Sequence, residues 1–167
     1  MSTVLVPTLT EAGLQALFNA TQDGLDAKIT QVGLGEGAYA PDQTRTVLES
    51  EVHRLSIASG KRVGAHQVHL NVIDDTDHAF WVREVGFYLD DGTLLAVYSA
   101  SEGALAYKSP TIDLVLAFDL SLNGIPADSI NVVDTGADLN ILFAPELARL
   151  ATASINTMRR YLVHRLA

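Results

Sequence analysis

FWVREVGFYLDDGTLLAVYS, residues Phe80 to Ser99, carries two apolar runs separated by Asp90-Asp91-Gly92, and its reading decides how the rest of the chain is placed. Strand side chains alternate in direction, so Trp81, Val85, Phe87 and Leu89 share one face with Arg83, while Phe80, Val82 and Tyr88 share the other with Glu84. Both faces are largely apolar, which puts the strand in the middle of a domain with a layer over each side. Asp91-Gly92 marks a tight hairpin turn, because such a turn needs positive φ and Gly supplies it. Arg83 and Glu84 then need partners. A charge aimed into a packed layer costs on the order of several kcal/mol when it is left alone.

Outward from the hairpin, composition narrows the function classes. The chain has 167 residues, 48% of them hydrophobic and 19% charged, which describes a folded chain with one sizeable core. Acidic residues outnumber basic ones 20 to 11, a balance that disfavours nucleic acid and anionic membrane surfaces as partners. There is no cysteine, so disulfides and thiolate metal sites are excluded. The opening MSTVLVPTLTEAG lacks the pattern of a signal peptide, and no apolar run reaches the roughly 18 residues of a membrane span.

Taken in order, Thr10 before Glu11 starts a helix whose face is Leu14, Leu17, Phe18 and Thr21. Ala27 to Leu34 reads as a strand, followed by a loop with two glycines, Gly35 to Pro41, which lacks the ending of a P-loop. Val47, Leu48 and Glu51 suggest a helical turn over Thr44 to Glu51. Val52 to Ala58 and Arg62 to Ile73 read as a hairpin turning at Ser59-Gly60-Lys61. Thr111 to Leu122 is a long strand with Ile112, Leu114, Leu116, Phe118, Leu120 and Leu122 inward, and two short strands follow at Ile130 to Val133 and Leu139 to Phe143. From Pro145 the pattern is helical, with a heptad-like seam at Ala151, Ile155, Met158 and Leu162. The expected class is α+β, a mostly antiparallel sheet with an N-terminal and a C-terminal helix. Residues 1–143 form the main domain and 144–167 the terminal helix.

The residues offer no constellation for chemistry. No serine sits in a nucleophile elbow, and the five histidines are dispersed. His66 and His69 point to opposite faces of one strand, which defeats a zinc site shared with His78. Asp74-Asp75-Thr76-Asp77 lacks the Gly and closing Glu of a calcium loop and reads as a turn whose Asp side chains cap their own backbone. Asp113 and Asp119 are six residues apart on one strand, roughly 20 Å, too far for paired acid and base work. The expectation is a protein that is no enzyme and has no cofactor and no metal.

Five pieces of the chain, in order, resemble the N-terminal domain of phage tail-collar fibre proteins. They are LTEAGLQAL at Leu9 to Leu17, ITQVGLGEGAYAP at Ile29 to Pro41, EVHRLSI at Glu51 to Ile57, the Phe80 to Ser99 hairpin, and AYKSP at Ala106 to Pro110. The family hallmark resembles the run from Trp81 to Gly92, and the likeness makes Trp81, Arg83, Glu84, Gly86 and Gly92 its structural core. Here Tyr107-Lys108 follows Gly-Ala-Leu-Ala, where similar proteins carry a Pro-Pro pair. The resemblance implies a structural virion protein of a contractile-tailed phage or tailocin, made in the host bacterial cytoplasm and placed in the tail. It further implies a homotrimer, joined partly through Ala151, Ile155, Met158 and Leu162, that attaches to baseplate proteins and to a distal fibre protein. Ending at Ala167, the chain is either the attachment piece of a longer fibre or a short adaptor. The competing reading is a carbohydrate-binding or glycan-hydrolysing tail protein, for which Tyr39, Trp81 and Tyr107 are the candidate aromatics.

Overall fold

In the computed structural model, which describes residues 6–23, 27–121 and 130–133, the Asp91-Gly92 turn joins the two strands at the centre of the main sheet. The elements run β1 (Thr8–Leu9), α1 (Glu11–Gln22), β2 (Ala27–Gly35), β3 (Glu51–Ser56), β4 (Ser59–Gly64), β5 (Gln67–Asp74), β6 (Phe80–Val82), β7 (Glu84–Leu89), β8 (Leu94–Ser99), β9 (Ala106–Lys108), β10 (Leu114–Ser121) and β11 (Ile130–Val132). The main sheet has the order β1-β8-β7-β2-β11, with β3 also paired to β2. All its pairings are antiparallel except β11 with β2. A second sheet has the order β10-β5-β4, and β6 pairs with β9 in a two-stranded ribbon.

The turn works as its sequence dictates. Gly92 has φ +85°, and its N–H donates to the Leu89 carbonyl at 3.0 Å, while Asp91 Oδ1 accepts from Thr93 N at 2.8 Å. Every residue of β7 is buried. One of its faces, Val85, Phe87 and Leu89, packs with Val68, Leu70 and Val72 of β5 and Phe118 and Leu120 of β10 in a single core. Phe87 and Phe118 meet edge to face at 5.7 Å. Tyr88, from the other face, joins Leu48, Leu94 and Val97, with Tyr39 packed against them. The second sheet thus covers one side of β7, and residues from the 36–50 segment cover the other.

Several expectations are corrected. The class is not α+β: among the described residues there are eleven strands and a single helix of 12 residues, so the fold is mainly β. The expected C-terminal helix lies outside the described residues, as does the strand at Leu139 to Phe143. Thr44 to Glu51 contains no helical turn of the expected kind, because Leu48 is drawn under Tyr88 while Val47 stays exposed, and the segment's amides bond elsewhere. The expected hairpin of Val52 to Ala58 with Arg62 to Ile73 is also wrong: its supposed turn, Ser59-Gly60-Lys61, opens β4, and the second strand is broken at Ala65-His66. β3 pairs with β2, and β4 pairs with β5 around Ala65-His66. Alternation fails at one place in the central hairpin too, since Val82 and Val85 both enter the same core although three positions apart. The odd step is absorbed at Arg83, which belongs to neither β6 nor β7.

Thr10 caps α1, its Oγ1 accepting from Gly13 N at 2.9 Å and donating to the Leu94 carbonyl. Phe18, expected inward, is 67% exposed, and the buried face is made instead by Gly13 and Leu17. The reason is closeness of approach. A Cβ on Gly13 would lie 2.6 Å from Leu95 Cα and 2.7 Å from its carbonyl oxygen, so the helix backbone rests almost directly on β8.

The 36–50 segment is held by one side chain. Glu84 is fully buried, and each of its carboxylate oxygens accepts two hydrogen bonds. Oε1 takes the amides of Gly37 at 3.1 Å and Ser50 at 2.7 Å, and Oε2 takes the Tyr39 hydroxyl at 2.7 Å and the Glu49 amide at 3.0 Å. Hydrogen bonds to an ionised acceptor contribute about 1.5–3 kcal/mol each, so four of them offset the burial of the charge. Gly35 and Gly37 follow from this arrangement. A Cβ on Gly37 would sit 2.7 Å from the carboxylate carbon, and one on Gly35 would collide with Oε1.

Two predictions follow from these contacts. Ala normally stabilises a helix interior by about 1 kcal/mol over Gly, but Gly13→Ala should destabilise by about 1–3 kcal/mol, read from the urea midpoint, because the methyl has nowhere to go. Glu84→Gln turns one acceptor into a donor, so a backbone N–H faces another N–H whichever way the amide is placed. It should lose about 1–3 kcal/mol on the same measurement, and an unchanged midpoint would show that the segment is held by other means.

Candidate docking surface

Tyr39, one of the three aromatics that the sequence leaves as surface candidates, is occupied within the fold. The Arg45 guanidinium lies 3.8 Å over the Tyr39 ring and is paired with Glu49 at 2.8 Å, while the Tyr39 hydroxyl donates to Glu84. Burial, then the bond to Glu84, pushes the Tyr39 phenol well above its ordinary 10.0. Tyr88 repeats the arrangement. Arg54 lies 3.6 Å over its ring, and its hydroxyl donates to Glu51 at 2.6 Å, with burial and that bond again raising the phenol. Arg54 holds Glu51 through both oxygens, at 2.8 and 2.9 Å. Burial works to raise the Glu51 carboxyl, but Arg54 and Tyr88 outweigh it and hold the group below its ordinary 4.5.

Trp81 and Tyr107 are different. They sit directly opposite one another on β6 and β9, with ring centroids 4.8 Å apart and planes tilted by 49°. Trp81 is 50% exposed and Tyr107 is 47% exposed, so the expected core position of Trp81 is corrected: Phe80 and Val82 on either side of it enter the core, and Trp81 points out between them. The ribbon beneath the pair is fixed from two sides. Trp81 N donates to Glu36 Oε1 at 3.1 Å. Lys108 is fully buried, and its ammonium donates to the carbonyls of Thr76 at 2.5 Å, Ser109 at 2.7 Å and Ile112 at 3.0 Å, which uses all three of its protons.

Arg83 follows Trp81 by two residues, beyond the inward Val82. Its backbone is tied at both ends, N to the Gly35 carbonyl at 2.9 Å and O to the Ala100 amide at 2.8 Å. The residue is partly buried, and its guanidinium has no hydrogen bond or ion pair among the described residues. The adjacent pair read from sequence as two internal struts therefore divides: Glu84 is saturated inside the fold, and Arg83 is not.

The remaining candidates are placed as follows. Gly86 is buried in β7, where a Cβ would lie 2.9 Å from Leu94, and Gly92 forms the hairpin turn. Ala151, Ile155, Met158 and Leu162 lie outside the described residues. His69 Nδ1 is 2.7 Å from Asp119 Oδ1, the rings of His53 and His78 are 5.2 Å apart, and His66 lies in the turn between β4 and β5. Among the described residues no group of three or more His, Asp or Glu side chains is placed to hold a metal ion. Asp74 does cap its own turn, Oδ1 accepting from Thr76 N at 3.1 Å and from its hydroxyl at 2.5 Å. The feature that periodicity missed is β9. Ala106-Tyr107-Lys108 is too short for an alternating pattern, and the only hint in the residues is a Lys between apolar neighbours and a Pro.

Residues 1–111, which run from β1 through the Trp81–Tyr107 ribbon, match the family model described as phage tail-collar fibre protein, N-terminal. A probable tail fiber protein of Escherichia phage P2 is 36% identical over 109 residues, covering 61% of this chain and 16% of that much longer relative. No solved structure matches the chain. The matched stretch contains Glu84 together with the glycines and tyrosine gathered around it, so two of the five sequence pieces that carried the resemblance, the Gly-rich segment and the hairpin, are joined in space by one carboxylate. The chain belongs to the phage tail-collar fibre protein N-terminal family.

Proposed function

We propose that this chain is a non-enzymatic attachment module that fixes a tail fibre to the baseplate of a contractile-tailed phage or tailocin. The observation that carries the reading is the family match over residues 1–111. The fold is consistent with docking, because the exposed aromatics stand on strands and are braced by two buried charges, Glu84 and Lys108. A site held on rigid elements loses little freedom on binding. The module works in the virion tail, with baseplate proteins on one side and a distal fibre protein on the other. It acts as a homotrimer joined through Ala151, Ile155, Met158 and Leu162, so that several weak contacts act together.

The glycan reading keeps one observation in its favour, the exposed Trp81 and Tyr107 rings. Tyr39 no longer supports it, since Arg45 covers that ring and Glu84 holds its hydroxyl. A glycan array and a polysaccharide cleavage assay separate the two readings, and turnover or sugar binding would overturn attachment as the main role.

The purified chain should give a trimer by light scattering, and a concentration-independent monomer would contradict the seam. Removal of residues 146–167 should abolish the trimer while leaving the thermal transition of the sheet domain in place. If the shortened chain fails to fold, the terminal segment is part of the core and not an assembly element.

A further inference from the structure

We infer that Arg83, with the Trp81–Tyr107 pair beside it, receives a carboxylate-bearing segment of the tail protein to which the module docks; this rests on the attachment reading above. Glu84 and Arg83 are neighbours with opposite fates. Glu84 accepts from four donors inside the fold. Arg83 offers five N–H donors in a planar fork and places none of them on a described residue, although its backbone is fixed at both ends. The other arginines of this region do find acids, Arg45 pairing with Glu49 and Arg54 with Glu51, each while lying over a tyrosine ring. Arg83 stands two residues from an exposed aromatic pair but has neither an acid nor a ring among the described residues.

The chemistry of the missing partner follows from burial. Arg83 is two residues along the chain from Trp81, and a protein laid over Trp81 and Tyr107 that reaches it removes the water around its guanidinium. A guanidinium covered without a counter-charge opposes binding, and the group that fits its fork is a carboxylate held through both oxygens. The aromatic pair supplies the apolar contact around that charge pair, the residue mix that dominates protein interfaces. A basic partner is disfavoured because it would bring a second cation against Arg83. The exposed Glu36 carboxylate, which accepts from Trp81 N at 3.1 Å, opposes an acidic segment and has to be outweighed by the pairing at Arg83, while exposed charges more than about 8 Å away contribute little to the repulsion from the net charge of −9 at physiological salt.

The test uses the full chain and fibreless tail particles from the phage or tailocin that encodes it, with co-sedimentation as the readout. Wild-type chain should bind; its failure to bind would overturn the attachment reading itself. Given wild-type binding, Arg83→Gln should weaken it roughly 30-fold or more, and Arg83→Glu roughly tenfold further, because reversal sets two carboxylates against each other. Equal binding by the Gln and Glu variants, whether retained or lost, would overturn the carboxylate. The thermal transition of both variants should match wild type, and a lowered transition would give Arg83 an internal role instead. The mass by light scattering should also be unchanged in Arg83→Glu, and an altered oligomer would place the carboxylate on a second copy of the chain and overturn the inference.

Discussion

A buried carboxylate and a stretch of irregular backbone satisfy one another in this fold, and most of the rest depends on it. Residues 36–50 cover one face of β7 without forming a strand or helix, so their amide groups have no ladder to bond into. Buried amides without acceptors are as unfavourable as a buried charge without donors. Glu84 resolves both problems at once, taking three backbone amides and one hydroxyl from that segment. The glycines at 35 and 37 are consequences of the same contact, since the carboxylate lies where a Cβ would have to be.

The same contact positions the exposed ribbon. With Gly35 to Gly37 fixed against Glu84, the Gly35 carbonyl is placed to receive Arg83 N, and Glu36 is placed to receive Trp81 N. The strand that presents Trp81 is thereby bonded to the end of β2 on one side and to β9 on the other. Lys108 plays a complementary part from β9, its ammonium bonded to three carbonyls from the loops around it. The two buried charges do not pair with each other. Each is compensated by backbone groups, which ties irregular segments to the sheets at points where no ladder reaches them.

How much of this was legible in the sequence differs from piece to piece. Period-two alternation found β10, although Ile112 at its expected start is exposed, and found β5 only as the second half of the stretch from Arg62 to Ile73, while Asp91-Gly92 found the turn, because these signals lie in neighbouring residues. The double burial of β7 was legible in its unbroken apolar run. What alternation could not give was the partner of each strand: β3 and β4 are adjacent in sequence and Ser59-Gly60-Lys61 looks like a turn between strands, yet those residues open β4 and β3 joins β2 in the other sheet. The helical spacing of Val47 and Leu48 was also misleading, because an apolar residue needed under Tyr88 produces the same pattern as one helical turn. Phe18 misled for the opposite reason. The helix approaches β8 too closely for a ring, and the residue that reports that closeness is a glycine, which a search for apolar faces passes over.

The site was legible in its residues but not in its roles. Arg83-Glu84 drew notice as two charges in an apolar strand, and alternation assigned them to opposite layers. It could not show that the donors to Glu84 come from 34 to 47 residues away and are mostly backbone amides, which leave no mark in side-chain patterns. Nor could it show the one-residue insertion at Arg83 that lets Val82 and Val85 share a core. That insertion has a structural consequence for any surface built here. A regular strand would alternate its outward residues at even steps, whereas the break lets a saturated acid and an unsaturated base stand side by side, one locked under the 36–50 segment and one left beside the aromatic pair. The rigidity that Glu84 supplies and the bonding capacity that Arg83 retains are therefore products of the same irregularity in the central hairpin.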